Sequence, residues 1–104
     1  MSENKLRSAI GFAMRSGNCI SGDFVCERAV KAKKAKLLVL DELASESTAA
    51  RYRGYCERAG IPCLTMQDMG HAIGKDGRMV AVITGDGFAR MILEANANTD
   101  GGVD

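Results

Sequence analysis

Leu6, Ala9, Ile10 and Ala13 recur at helical spacing and predict a first helix from Asn4 to Arg15, which Gly17 can close. A short connector, "NCIS", follows. Gly22 and Asp23 then open a second helix that carries Val25, Cys26, Ala29 and Val30 on one side and ends near Lys34. "KLLVL" is a continuous apolar run of strand length, the pattern of a strand buried on both faces. A third helix is predicted over Ser45 to Ala59, with Ser45 as the N-terminal acceptor, Gly60 as the left-handed C-terminal residue and Pro62 forbidding continuation. "CLT" is then a short strand. Thr65 and Asp68 have capping-box spacing before a brief helix through Ala72 that Gly74 stops. "MVAVI" is the last strong strand, and Asp86 or Thr84 caps a final helix with Phe88, Met91, Ile92 and Ala95 turned inward. The order αβαβαβαβα with minimal strands predicts an α/β chain: a three-layer α/β/α sandwich with a small four-stranded mixed sheet, residues 1–95 forming one domain. The tail "NANTDGGVD", 96–104, is expected to be disordered.

Composition narrows the class without changing that picture. At 104 residues, 46% of them apolar and 26% charged, the chain can bury a core of its own without staples. No stretch approaches the roughly 20 apolar residues of a membrane span. The opening "MSENKLRSAIGF" lacks the apolar run of a secretory signal, so a cytoplasmic location is expected and no membrane partner. Cys19, Cys26, Cys56 and Cys63 fall in two pairs seven positions apart, which is not the knuckle spacing of a zinc site. They are expected to be free, mostly buried thiols, and no metal is predicted.

Catalytic chemistry is thinly supplied. The single histidine, His71, cannot form a triad and reads as a surface or capping residue. Asp41 and Glu42 are neighbours at a strand end, where adjacent side chains point to opposite faces, so they make a poor acid–base pair. "GHAIGKD" has three residues between its glycines and no Ser or Thr after the lysine, which excludes a phosphate loop. "GDGFAR" lacks the third glycine of a dinucleotide fingerprint. No enzyme activity, cofactor or small-molecule substrate is predicted.

Charge is distributed unevenly. The chain carries a net charge of only +1, yet residues 1–36 hold eight Lys or Arg against three acids, and the remainder holds six against ten. Five of those cations crowd into "RAVKAKKAK", Arg28 to Lys36. A basic face on a neutral protein is the footprint of a polyanion-binding module. On a helical wheel Phe24, Arg28 and Lys31 share the side opposite the apolar stripe. An aromatic ring beside two cations suits stacking on an unpaired base with its phosphates held nearby, or else the ring packs under the first helix.

"GFAMRSGNCISG", "CERAVKAKKAKLLVL", "MGHAIG" and "MVAVITGDGFARMIL" together resemble the ribosomal-protein superfamily of the L7Ae/L30e type, most closely its small bacterial YlxQ-like branch, over about residues 5–94. The resemblance implies a non-catalytic α/β/α domain that binds structured RNA, kink-turns above all, such as ribosomal RNA. In that family the N-terminal end of the second helix grips sheared G·A pairs and the loop before the fourth helix covers an extruded nucleotide. Carried over, Gly22 matches the loop glycine, Arg28 the helix lysine and Glu42 an acidic strand-end position. Met66, Gln67, Asp68, Met69 and Gly70 match the nucleotide-covering segment. Of these, Gly22, Arg28, Glu42, Met66, Gln67, Met69 and Gly70 join Asp23, Phe24, Lys31 and Lys34 from the basic helix as the candidate RNA-binding residues. Where typical kink-turn binders have Asn-Glu, this chain has Phe24-Val25, which replaces hydrogen bonds to base edges by apolar contact. The competing reading is a protein-interaction or assembly factor on the same fold.

Overall fold

The structure, a computed structural model, describes residues 2–101 of the chain and the side chains of 4–97. Helices and strands alternate: α1 (Ser2–Arg15), β1 (Cys19–Ser21), α2 (Asp23–Lys31), β2 (Leu37–Asp41), α3 (Glu46–Ala59), β3 (Cys63–Met66), α4 (Met69–Ala72), β4 (Val80–Ile83) and α5 (Asp86–Gly101). The strands form one mixed sheet in the order β1-β4-β2-β3, with β2 and β3 parallel and β4 antiparallel to both β1 and β2.

The period of two along each strand divides the core between two helical layers. Leu37 and Val39 of β2, with Ala81 and Ile83 of β4, meet Leu6, Ile10 and Ile92 from α1 and α5. Leu38, Leu40, Val80 and Val82 face the other way, onto Cys26, Val30, Tyr52 and Cys56 of α2 and α3. Leu37 to Leu40 of β2 are buried, as their unbroken apolar run predicts, and Asp41 at the strand's end is buried with them. The result is the expected three-layer α/β/α sandwich. The caps of α3 are also as predicted: the Thr48 N–H donates to the Ser45 hydroxyl at 3.2 Å, and Gly60 ends the helix at φ 73°.

Several local expectations are corrected. Cys19–Ser21 of the connector is an edge strand, antiparallel to β4 with Cys19 opposite Ile83. Helix α2 stops at Lys31, short of Lys34, because Lys33 adopts a left-handed conformation at φ 63°. The Lys33 N–H then reaches the Val30 carbonyl and the Lys34 N–H the Ala29 carbonyl, closing the helix as a glycine usually would. Val25 leaves the apolar stripe of α2 and is 41% exposed. Thr65 lies within β3, and Asp68, at φ 50°, makes no side-chain cap on α4, so the capping box does not form. Helix α5 is capped by neither Asp86 nor Thr84. Gly85 accepts its first hydrogen bond, from Ala89 at 2.9 Å, where a Cβ would stand 2.7 Å from Asn18 Oδ1. Helix α5 extends past residue 95 to Gly101. Of the tail expected to be disordered, 102–104 lie outside the described residues.

Lys33→Gly is expected to raise unfolding stability by about 0.5–1 kcal/mol, since glycine lacks the Cβ that disfavours the left-handed region. Urea unfolding of the two proteins checks it; an unchanged midpoint would show that Lys33 carries no strain.

Candidate nucleic-acid interface

The sheet register brings four turns to one end of the molecule. Ser21 lies opposite Ala81, Val80 opposite Leu40, and Asp41 opposite Met66. The Gly22 N–H donates to the Val80 carbonyl at 3.1 Å, the Asp41 N–H to Met79 at 2.8 Å and the Glu42 N–H to Met66 at 2.9 Å. The entry to α2, the turn after β2, the loop from β3 to α4 and the approach to β4 are thereby one continuous cluster.

Asp41 ties two of these turns together. Its carboxylate is only 4% exposed. One oxygen accepts from the Leu43 N–H at 2.8 Å and the other from the Met69 N–H at 2.9 Å. The Met69 amide, at the first residue of α4, is thus held by a residue 28 positions earlier. Glu42, on the opposite side of the chain, is exposed, as strand alternation requires. Gly70 is buried under the following loop, where a Cβ would lie 2.7 Å from the Lys75 carbonyl oxygen and 3.0 Å from the Arg78 nitrogen, so no larger residue fits. Arg78 closes the other side. Its Nη1 donates to the Ser21 carbonyl at 2.8 Å and the Ser21 hydroxyl at 3.0 Å, bracing the turn into α2. Gly22 makes that turn at φ 112°, a region favouring glycine, with Arg78 Nη1 3.0 Å from where a Cβ would stand.

Helix α2 presents two different sides. On one, Phe24 is 71% exposed and the Arg28 guanidinium sits 5.5 Å from its ring centroid. Val25, Arg28 and Lys34 continue this side along an open groove of about 280 Å³ beside Ile20. On the other side, facing α3, the charges are occupied. Arg51 donates to the Asp23 carboxylate at 2.8 and 3.1 Å and to Glu27 at 3.2 Å. The buried Tyr52 hydroxyl donates to the Asp23 carbonyl and carboxylate. Lys31 binds Glu27 at 2.8 Å with its ammonium 5.1 Å from the Tyr55 ring centroid. Arg51 first, then Tyr52, hold the Asp23 carboxyl below its usual range, against a smaller opposing effect of burial. Lys31 lowers Glu27, and Glu27 raises Lys31. The α2–α3 tie is therefore fully present above the unfolded carboxylate values of about 4 and is lost as pH falls through the lower values of the folded protein.

The candidate residues are thus only partly assembled. Gly22, Phe24, Arg28, Lys34, Glu42 and Gln67 lie on or beside the exposed loop end and the open side of α2. Asp23 and Lys31 are engaged in internal ion pairs. Met66 at 3% and Met69 at 0% exposure are core side chains, so their part in any contact is limited to backbone, and the buried Gly70 acts by close packing. Arg78, Asp41 and Leu43, the last of them 77% exposed, lie in the same cluster but were not among the candidate RNA-binding residues read from the sequence. Only the failed phosphate loop "GHAIGKD" pointed near Arg78. Among the described residues no group of three or more His, Cys, Asp and Glu could hold a metal ion, and no helix is long and apolar enough to cross a membrane.

A four-stranded mixed sheet between two helical layers, with part of the candidate residues in the loops at one end, makes this a small α/β/α domain. Residues 4–93 match the ribosomal protein L7Ae/L30e/S12e/Gadd45 family, and the chain belongs to that family. It is 30% identical over 87 residues to the RNA-binding protein YlxQ of Bacillus subtilis (strain 168), covering 81% of this chain and 87% of that one. It is 29% identical over 93 residues to the RNA-binding protein YlxQ of Enterococcus faecium, covering 86% and 89%. A solved structure of a protein of unknown function from Bacillus halodurans C superposes with a TM-score of 0.83 at 26% identity, over 88% of this chain and 95% of that one. The Giardia lamblia 15.5kD RNA binding protein superposes with a TM-score of 0.77 at 18% identity, over 98% and 90%, a likeness of fold. The L7Ae-type resemblance read from four sequence blocks is therefore correct.

Proposed function

We propose that this chain is a non-catalytic RNA-binding protein, associated with the ribosome or another folded RNA, and that it takes a kink-turn or related internal loop at the end of the sheet where Gly22, Glu42 and Gln67 converge. The observation that carries this reading is the exposed Phe24 ring with Arg28 against it, at the entry of α2 and beside loops fixed by Asp41 and Arg78. An aromatic face next to a guanidinium offers stacking to an unpaired base and charge to its phosphate, which a regular duplex cannot use as well. The RNA-binding names of the bacterial relatives support it. With Phe24-Val25 at the tip of α2, base-edge hydrogen bonding there gives way to stacking, and shape contributes more of the selectivity than sequence.

Titration of a kink-turn RNA and of a plain duplex of equal length, at matched salt, tests the reading. The kinked RNA is expected to bind at least ten-fold more tightly. If Arg28, Lys33, Lys34 and Arg78 neutralise about two to four phosphates, log affinity should fall with log salt at a slope near −2 to −4. Equal affinities for the two RNAs would remove the internal-loop assignment, and a flat salt dependence would remove this face from the site.

A further inference from the structure

Helices α1 and α5 lie side by side on the face of the sheet turned away from α2 and α3. They run antiparallel, since α1 ends and α5 begins at the end of the molecule where Cys19 lies opposite Ile83. Phe12 of α1 meets Phe88 of α5 edge to face there, with 5.4 Å between ring centroids. Even so, Phe12 stands 49% exposed over an open groove of about 610 Å³ that runs between the two helices. Ala9 and Met91 floor this groove, and the exposed Ser8, Arg15 and Glu94 stand along it. Counting about 1.5 Å per residue from the Phe12–Phe88 contact, Ser8 lies about 6 Å back along α1 and Glu94 about 9 Å in that same direction, whereas Arg15 lies about 4.5 Å the other way. The groove therefore has a carboxylate toward one end, a guanidinium at the other, a protruding ring on one side of its middle and two small residues on the other. Neither Arg15 nor Glu94 has an ion-pair partner among the described residues.

We propose that this groove is a dimer interface and that its occupant is a second copy of the same chain. A two-fold axis lying across the groove, at right angles to both helices and between Ser8 and Phe12, turns the face onto itself and exchanges its ends. Phe12 of each copy then enters the hollow that Ser8 and Ala9 leave in the other, as a ridge enters a groove. Glu94 of each copy comes level with Arg15 of the other, and the long arm of the arginine covers the offset between the helices. Lys5 stands on the same rim as Glu94, so each end of the interface holds one carboxylate between two cations. A polyanion suits the groove less well, because it would meet Glu94 with its own charge. With helices of 14 and 16 residues, roughly 21 and 24 Å long, the face is at the small end of specific interfaces, which makes the dimer a reversible one. Phe24 and Arg28 lie on the opposite layer and stay open in both copies.

Sedimentation equilibrium of the full chain without RNA, over a series from micromolar to millimolar, is the test. Reversible association from 11.1 kDa to twice that mass is expected. Glu94→Arg and Arg15→Glu should each weaken the dimer by roughly ten-fold or more, because the two-fold axis repeats every change and sets like charges together. The double variant, Glu94→Arg with Arg15→Glu, should recover most of the loss. Within one chain the two residues stand roughly 13 Å apart along the groove, so that recovery comes across the interface. Phe12→Ser should also weaken association, and where it loosens the monomer through Phe88 the charge exchange still decides. A single 11.1 kDa species throughout the series overturns the proposal, and so does a double variant that associates no better than the single ones. Kink-turn affinity should be unchanged by Phe12→Ser, which keeps this outcome separate from that of the RNA reading. Weaker RNA binding by Phe12→Ser with an unaltered mass series would give the groove to RNA and overturn the dimer.

Discussion

Asp41→Ala is expected to lower unfolding stability by about 2–5 kcal/mol, although the residue takes part in no ion pair among the described residues. Removing the carboxylate leaves the Leu43 and Met69 N–H groups without their acceptors, and the Met69 bond is buried. Each unsatisfied donor costs on the order of 1–3 kcal/mol when water cannot replace the lost partner. Against a domain stability of about 5–15 kcal/mol that is a large share. Asp41→Asn should cost less, because its carboxamide oxygen still accepts one of the two bonds. Urea unfolding with the slope compared across the three proteins measures the effect. A loss below about 1 kcal/mol for Asp41→Ala would mean that the two turns hold their positions without the carboxylate.

Phe24→Ala separates binding from stability in the opposite sense. A ring 71% exposed contributes little to the core, so the melting temperature should hardly move, within about 0.5 kcal/mol. If the ring stacks on an unpaired base, affinity for a kink-turn RNA should fall by about 1–3 kcal/mol, roughly 5- to 150-fold. Arg28→Ala should reproduce part of this loss, since the guanidinium lies against the same ring. A thermal melt beside an RNA titration reads both quantities. Unchanged affinity would take Phe24 out of the contact and leave Leu43 and Val25 as the remaining apolar candidates at that end.

What the sequence made legible was local in origin. The caps of α3 rest on Ser45, Thr48 and Gly60, all within a turn of the helix they bound, and they were read correctly. The burial of Leu37 to Leu40 in β2 follows from four consecutive apolar residues. Exposure of Phe24 followed from the helical wheel, but the wheel put Val25 in the core and Lys31 on the open side. A nine-residue helix covered on one flank by α3 buries a narrower stripe than the wheel assumes, and Lys31 bends toward Glu27 and Tyr55. The site residues that went unread depend on partners far along the chain. Arg78 braces Ser21 across 57 positions, and Asp41 holds Met69 across 28. That second bond also explains why Met66 and Met69, placed in the site by resemblance, turn inward: the loop is drawn down onto the sheet end by its backbone, and its methionines fill the core below.

The two helical layers differ in how much of the chain they need. The α2–α3 layer and the strands it covers first are built from neighbouring segments, 23–66, whose contacts close early during synthesis. The opposite layer joins α1 to α5, the first helix to the last. Until α5 is available, the sheet face carrying Leu37, Val39, Ala81 and Ile83 has only part of its cover. Strand β4, which sits between β1 and β2, also arrives late. Cooperative closure of this domain therefore waits for nearly the whole chain, and a nascent or truncated form ending before residue 86 exposes an apolar sheet surface that invites chaperone binding or aggregation.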